Sequence, residues 1–184
     1  MKIPLRYQMS EYDCGPTALL NAVSYLFPRS EVPPEIIRSV MLYTLDCYCM
    51  DGTACKAGTS RMAMMYLANW LEGFSRATDF PLTCQYISGR AVCIDAHSHI
   101  NDALVRGGVA VVRLFYEVEH YALLTGVSKE HIYLFDPYYL AEAEQEFVRA
   151  GIEVTCDHPH SYNRVVPFAC FNREARELYA FGAM

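Results

Sequence analysis

Gln8 and Cys14, a glutamine and a cysteine six residues apart near the start of the chain, are residue types that can do chemistry together. Gly15 and Pro16 directly follow the cysteine, and apolar residues at helical spacing come next. Proline fits the first turn of a helix, where its missing N–H costs nothing. Cys14 is therefore predicted at the start of a helix, with Asp13 as its N-cap. Backbone N–H groups and the helix dipole favour a thiolate there.

A nucleophilic thiol needs a base, which is usually distant in sequence and close in space. His120 is the candidate, because it heads the apolar stretch 120–127, which reads as a strand. Asp136 follows the next predicted strand, 131–135. In an antiparallel hairpin the start of one strand and the end of the next share an edge, so Asp136 can orient the imidazole. The alternatives without a catalytic role are that Cys14 is a buried structural cysteine, His120 a hydrogen-bonded histidine at a strand end, and Asp136 a turn aspartate before proline.

These segments carry a resemblance to a known family. The pattern Gln8-x5-Cys14-Gly15-Pro16, followed by the stretches 120–127 and 133–137, resembles the papain-like peptidases that remove double-glycine leaders from bacteriocins. Members of that family form the N-terminal domains of certain peptide-exporting transporters, and stand-alone bacterial relatives also exist. The resemblance covers about 8–137 and, because no transporter segment follows in the chain, is to a stand-alone relative.

The resemblance implies a cysteine peptidase with a Cys-His-Asp triad. Cys14 would be the nucleophile, His120 the general base and acid, Asp136 the histidine orienter and Gln8 the oxyanion-hole side chain. It also implies an α+β, papain-like fold with N-terminal helices packed on a C-terminal antiparallel β-sheet. No cofactor is expected, and the partner would be a peptide or protein substrate, such as a peptide leader. The substrate and the oligomeric state stay open.

Composition narrows the class of protein. The chain has 184 residues, of which 53% are hydrophobic, so we expect one domain with a helical half over about 1–75 and a β half over about 80–184. A net charge of −6 argues against a general nucleic-acid binder. No apolar run reaches the ~20 residues needed to span a bilayer. Since the first residues lack a signal-peptide pattern, we expect a cytoplasmic protein with mostly reduced thiols.

Periodicity and breakers predict the elements. Residues 1–7 are expected as a short strand or an extended lead-in. Helices are predicted over about 15–27, 35–45, 60–72 and 139–150, with a short helix that begins near 97–99 and ends at 107–108. Strands are predicted over 80–87, 109–116, 120–127 and 131–135, with short strands or edge segments at 152–156, 164–171 and 178–181.

Three alternative functions remain open from the sequence. The same triad would serve a transglutaminase-like acyl transferase. A catalytically inactive relative would bind peptides through the same cleft. A metal-binding structural protein would use a histidine together with three of the eight cysteines, Cys47, Cys49 and Cys55. Their C-x-C and C-x5-C spacings differ from the paired C-x2-C of common zinc sites, which favours an ordinary loop.

Overall fold

A computed structural model describes residues 3–116, 118–170 and 182–183 of the chain, without the side chains of 115, 116, 118, 182 and 183. The helices are α1 Cys14–Leu26, α2 Pro34–Tyr43, α3 Arg61–Thr78, α4 His99–Val105 and α5 Gln145–Ala150. The strands are β1 Tyr86–Ile87, β2 Ala110–Tyr116, β3 Val118–Val127, β4 His131–Phe135, β5 Glu153–Val154, β6 Arg164–Pro167 and β7 Gly182–Ala183.

An open antiparallel sheet forms the centre of the fold. Five of its strands lie in the order β2-β3-β4-β6-β5, and the two-residue strands β7 and β1 continue the sheet beyond β2. Each described pairing is antiparallel. The predicted α+β class, with helices first and an antiparallel sheet later in the chain, is confirmed.

Both faces of the sheet are covered, which explains why its central strands are apolar without a polar face. Tyr121 and Leu123 of β3 pack in one cluster with α1, α2 and α3. Ala122 and Leu124 point to the opposite face and pack in a second cluster with α4. Alternate residues of one strand therefore serve two separate cores. The cluster on the α1 side includes Cys14 itself.

Helix α3 is longer than predicted. Its start is as expected, since the Ser60 hydroxyl caps it by accepting from the N–H of Ala63. It continues through Gly73, where a Cβ would meet nothing within 4 Å, and ends at Thr78 with Asp79 in the left-handed region. The helix therefore extends past its predicted end near residue 72.

The strand predicted over 80–87 is wrong for most of its length, and only Tyr86–Ile87 pairs with the sheet. Other acceptors take the backbone N–H groups before it. The N–H of Phe80 donates to the carbonyl of Ser75, and that of Cys84 donates to the carboxylate of Glu72 at 2.8 Å. These bonds to α3 hold the segment against the helix instead of in the sheet.

The helix predicted over 139–150 is limited to Gln145–Ala150. Tyr138 cannot continue into a helix, because its N–H donates to Asp136 Oδ1 at 2.8 Å and its carbonyl accepts from Arg164 at 3.1 Å. The segments expected near 152–156 and 164–171 are strands only over Glu153–Val154 (β5) and Arg164–Pro167 (β6), and residues 168–170 are helical. Residues 3–7 form an extended lead-in, and the segment predicted at 178–181 lies outside the described residues.

Candidate active site

The turn before α1 is organised by one carboxylate. Asp13 accepts hydrogen bonds from the backbone N–H groups of Met9 at 3.0 Å and Ser10 at 2.7 Å, and from the hydroxyl of Thr17 at 3.3 Å. Burial opposes its charged form, but hydrogen bonds from Met9 and Ser10 prevail and lower the pKa of Asp13. Asp13 occupies the predicted N-cap position, yet its side chain closes the preceding turn and does not cap the helix.

Cys14 is the first residue of α1, as the sequence predicted, and is 7% exposed. The next residue packs against the loop that precedes α3. A Cβ added to Gly15 would lie 2.7 Å from the Cβ of Thr59 and closer still to its hydroxyl oxygen. Only glycine allows this close approach of the cysteine-bearing turn to Thr59.

His120 and Asp136 lie side by side at one end of the neighbouring strands β3 and β4. Their Nε2 and Oδ1 atoms are 2.6 Å apart, and both side chains are mostly buried, at 17% and 18% exposed. β4 ends at Phe135, which pairs with Leu123 of β3. Asp136 thus follows the last paired residue, and the hairpin predicted from the sequence brings the two side chains together. His120 is the third residue of β3, not its first.

His120 also interacts with the cysteine. Nε2 is engaged by Asp136, and the Cys14 side chain is near enough to influence the pKa of the same ring. Burial of the imidazole disfavours its charged form. The hydrogen bonds and charges of Asp136 and Cys14 outweigh that cost and raise the pKa of His120 to about 10. A thiol, an imidazole and a carboxylate therefore lie together at one site.

Gln8 makes hydrogen bonds both to the segment after Asp136 and to the turn before Cys14. Its backbone N–H donates to the carbonyl of Pro137 at 2.9 Å, next to Asp136. Its side-chain Nε2 donates one N–H to the carbonyl of Ser10 at 2.7 Å, which leaves the second amide N–H for another acceptor. Within the described part of the chain, its Oε1 atom is buried and has no hydrogen-bond partner. A buried amide oxygen of this kind requires an explanation, such as a ligand N–H or a water.

Two residues that contact the Asp136 segment were missed at the sequence level. Both polar atoms of the Asn163 side chain bond to the main chain of Asp136, and the guanidinium of Arg164 bonds to the carbonyls of Asn163 and Tyr138. Each is 2% exposed. Only their position at the head of the apolar segment 164–168 could have pointed to them, and that signal is weak.

The cysteine-rich loop between α2 and α3 is closed by its own hydrogen bonds. Tyr48 pairs with Ala54, and the Asp46 carboxylate accepts from the backbone N–H and the hydroxyl of Ser60. Across the described ranges, no three His, Cys, Asp or Glu side chains form a group that could hold a metal ion. All eight cysteines lie within those ranges, and all are free thiols.

The chain was compared with models of known protein families and with curated proteins, and neither comparison gives a match. No helix among the described residues is both long enough and apolar enough to cross a membrane.

Proposed function

We propose that the chain is a cysteine peptidase with a papain-like arrangement, in which Cys14 is the nucleophile, His120 the general base and acid, and Asp136 the orienting carboxylate. The observation that carries this proposal is the position of His120. Its Nε2 atom is 2.6 Å from Asp136 Oδ1, and Cys14 is near enough to help raise the pKa of the ring. A nucleophile, a base and a group that orients the base are the parts that covalent acyl transfer requires.

The raised pKa of His120 favours an imidazolium at neutral pH. In the proposed reaction, the Cys14 thiolate attacks the scissile carbonyl and forms a C–S bond. The imidazolium of His120 gives its proton to the leaving amine as the C–N bond breaks. The neutral imidazole then takes a proton from water, the resulting hydroxide attacks the thioester, and the C–S bond breaks to release the new carboxyl terminus and restore the thiolate and the imidazolium.

The negative oxygen of the tetrahedral intermediate needs hydrogen-bond donors. We assign this role to the backbone N–H of Cys14 and to the Gln8 amide N–H that does not bond Ser10. Both candidates belong to one short turn. Asp13 directly precedes Cys14, and its carboxylate binds the N–H groups of Met9 and Ser10, which directly follow Gln8. One such donor is worth about 3–4 kcal/mol of transition-state stabilisation.

The substrate proposed is a peptide or protein, and the first class to test is a leader peptide that ends in two glycines. That choice rests on the resemblance in the segments around Gln8, Cys14, His120 and Asp136. The cytoplasm is the proposed location, supported by eight free thiols in a chain of this size.

The test is a cleavage assay with a double-glycine leader peptide and, in parallel, a complex peptide library. Wild-type protein and a Cys14→Ala variant are incubated with each in H₂¹⁸O, and new termini are identified by mass spectrometry. The proposal expects new carboxyl termini that carry ¹⁸O and that the variant does not produce.

Two results would contradict peptidase activity. The incubation is repeated with a primary amine added. If the amine appears in the product in place of ¹⁸O, the protein is an acyl transferase. If wild type and Cys14→Ala bind the same peptides equally and neither cleaves them, it is a peptide-binding module.

A further inference from the structure

β6 approaches the triad at the point where β4 has ended. β4 stops at Phe135, and Pro137 follows Asp136, so Asp136 lies outside the paired strands. A buried main-chain N–H or C=O without a partner costs about 1–3 kcal/mol. The two main-chain polar groups of Asp136 must therefore be satisfied by something other than β3.

Asn163, immediately before β6, satisfies both. Its Oδ1 accepts from the N–H of Asp136 at 2.7 Å, and its Nδ2 donates to the carbonyl of Asp136 at 2.8 Å. Its own backbone N–H donates to the carbonyl of Leu134 at 3.0 Å, so the residue is fixed to β4 as well. The Asn163 side chain thus makes the two hydrogen bonds to Asp136 that the main chain of a neighbouring strand would otherwise make.

Arg164 reinforces the same contact. Its guanidinium donates to the carbonyl of Asn163 at 2.9 Å and to that of Tyr138 at 3.1 Å. The N–H of Tyr138 donates in turn to Asp136 Oδ1, the oxygen that faces His120. Burial lowers the pKa of Arg164, and the negative charge of Asp136 opposes this shift.

We propose that Asn163 is a positioning residue that fixes the main chain of Asp136 so that its carboxylate faces His120. The inference rests on the proposed triad and assigns a part of the chain outside the family resemblance to that site. Asn163 touches neither His120 nor Cys14 in its described hydrogen bonds, so its effect on the reaction passes through Asp136.

The chain offers a matched control. Asn21 in α1 is 1% exposed and makes the same kind of clamp on a different residue, accepting from the N–H of Arg6 and donating to its carbonyl, both at 2.8 Å. Asn21→Ala therefore removes as many buried hydrogen bonds as Asn163→Ala, but none of them involves Asp136.

The experiment is an NMR titration of the His120 ring in wild type, Asn163→Ala and Asn21→Ala, with stability measured in parallel. A misdirected carboxylate no longer favours the imidazolium, so the pKa of His120 in Asn163→Ala is expected to fall by at least about one unit. The pKa of His120 in Asn21→Ala is expected to match wild type at a similar loss of stability. Where substrate turnover is measurable, kcat of Asn163→Ala should fall by up to about 10²-fold with little change in KM.

Equal His120 titrations in Asn163→Ala and wild type would overturn the proposal, and so would equal falls in both alanine variants. If Asn163→Ala does not fold, Asn163→Ser replaces it with the same expectation, because its hydroxyl retains some hydrogen-bonding capacity. The titration does not need a substrate. A shifted His120 in a protein without peptidase activity would uphold the positioning role while the proposed function fails.

Discussion

The backbone N–H of Gln8 donates a 2.9 Å hydrogen bond to the carbonyl oxygen of Pro137. This bond fixes the proposed oxyanion residue to the residue that directly follows Asp136. Because the main chain makes the contact, a change of the Gln8 side chain leaves it in place. The role of the amide can therefore be tested apart from the fold.

Gln8→Ala is expected to lower kcat by about 10²–10³-fold, the usual effect of losing one oxyanion donor. The melting temperature should stay close to that of wild type. Met9→Ala, at an adjacent residue that is 96% exposed, serves as the control and should keep wild-type kcat. Unchanged turnover in Gln8→Ala on a verified substrate would remove the amide from the mechanism.

Asp136→Asn is expected to lower kcat by up to about 10⁴-fold, because a neutral amide no longer stabilises the imidazolium or fixes its tautomer. The pKa of His120 should fall with the loss of this charge, so activity on the basic side of the pH profile should disappear at lower pH than in wild type. The control is Asp102→Asn, which removes an exposed carboxylate of α4 that pairs with Arg106. If the activity of Asp136→Asn is lost at the same basic pH as that of wild type, the proposed role of Asp136 is contradicted.

The charge on His120 is expected to stabilise the folded protein over a defined pH window. Its pKa is raised from 6.5 in the unfolded chain to about 10, so this stabilisation is fully present below about pH 6.5 and is lost as the pH rises towards 10. Urea unfolding at about pH 6, 8 and 10 should show the difference between wild type and His120→Gln shrinking with pH. A difference that is constant or grows over this range would show that the folded protein does not favour the imidazolium.

Two glycine substitutions should change the stability of the protein in opposite directions. Gly15→Ala places a Cβ 2.7 Å from the Cβ of Thr59, a residue that is 4% exposed and cannot turn into solvent. Overpacking of this kind costs about 1–3 kcal/mol. Gly73→Ala in α3 meets nothing within 4 Å and should stabilise by about 0.5–1 kcal/mol.

Chemical denaturation of both glycine variants measures these changes. A Gly15→Ala variant as stable as Gly73→Ala would show that the loop carrying Thr59 does not pack against the start of α1. The double variant Gly15→Ala/Thr59→Gly should be less destabilised than the sum of its single changes, because the clash is removed.

The sequence could predict which segments meet, because local rules and hairpin geometry determine them. Pro16 and the apolar period place Cys14 at a helix start, and the turn 128–130 makes neighbours of β3 and β4. The start of β3 and the end of β4 lie at the same end of this hairpin, which brings Asp136 to His120, as found. The chemical roles of these residues remain predictions.

The sequence could not predict contacts in which side chains replace main-chain partners. Glu72 takes the N–H of Cys84 and so limits β1 to two residues. Asn163 and Arg164 bind the main chain of residues about 26 positions earlier in the chain. Hydrophobic period carries no information about such bonds, since each depends on one polar group that meets one backbone position in space.

The most direct test of the central claim is the relative reactivity of the eight cysteines. Native protein is treated with substoichiometric iodoacetamide at about pH 6, where an ordinary thiol with a pKa of about 8.5 is almost wholly protonated. Modified peptides are mapped for wild type and for His120→Ala. Cys14 is only 7% exposed, whereas Cys55 and Cys156 are exposed, so accessibility alone would favour the other two.

If Cys14 is held as a thiolate by His120, it should react well ahead of Cys55 and Cys156 in wild type and should lose that lead in His120→Ala. Reaction of Cys14 no faster than that of the exposed cysteines would contradict the proposed nucleophile. Equal reactivity in wild type and His120→Ala would contradict its proposed base.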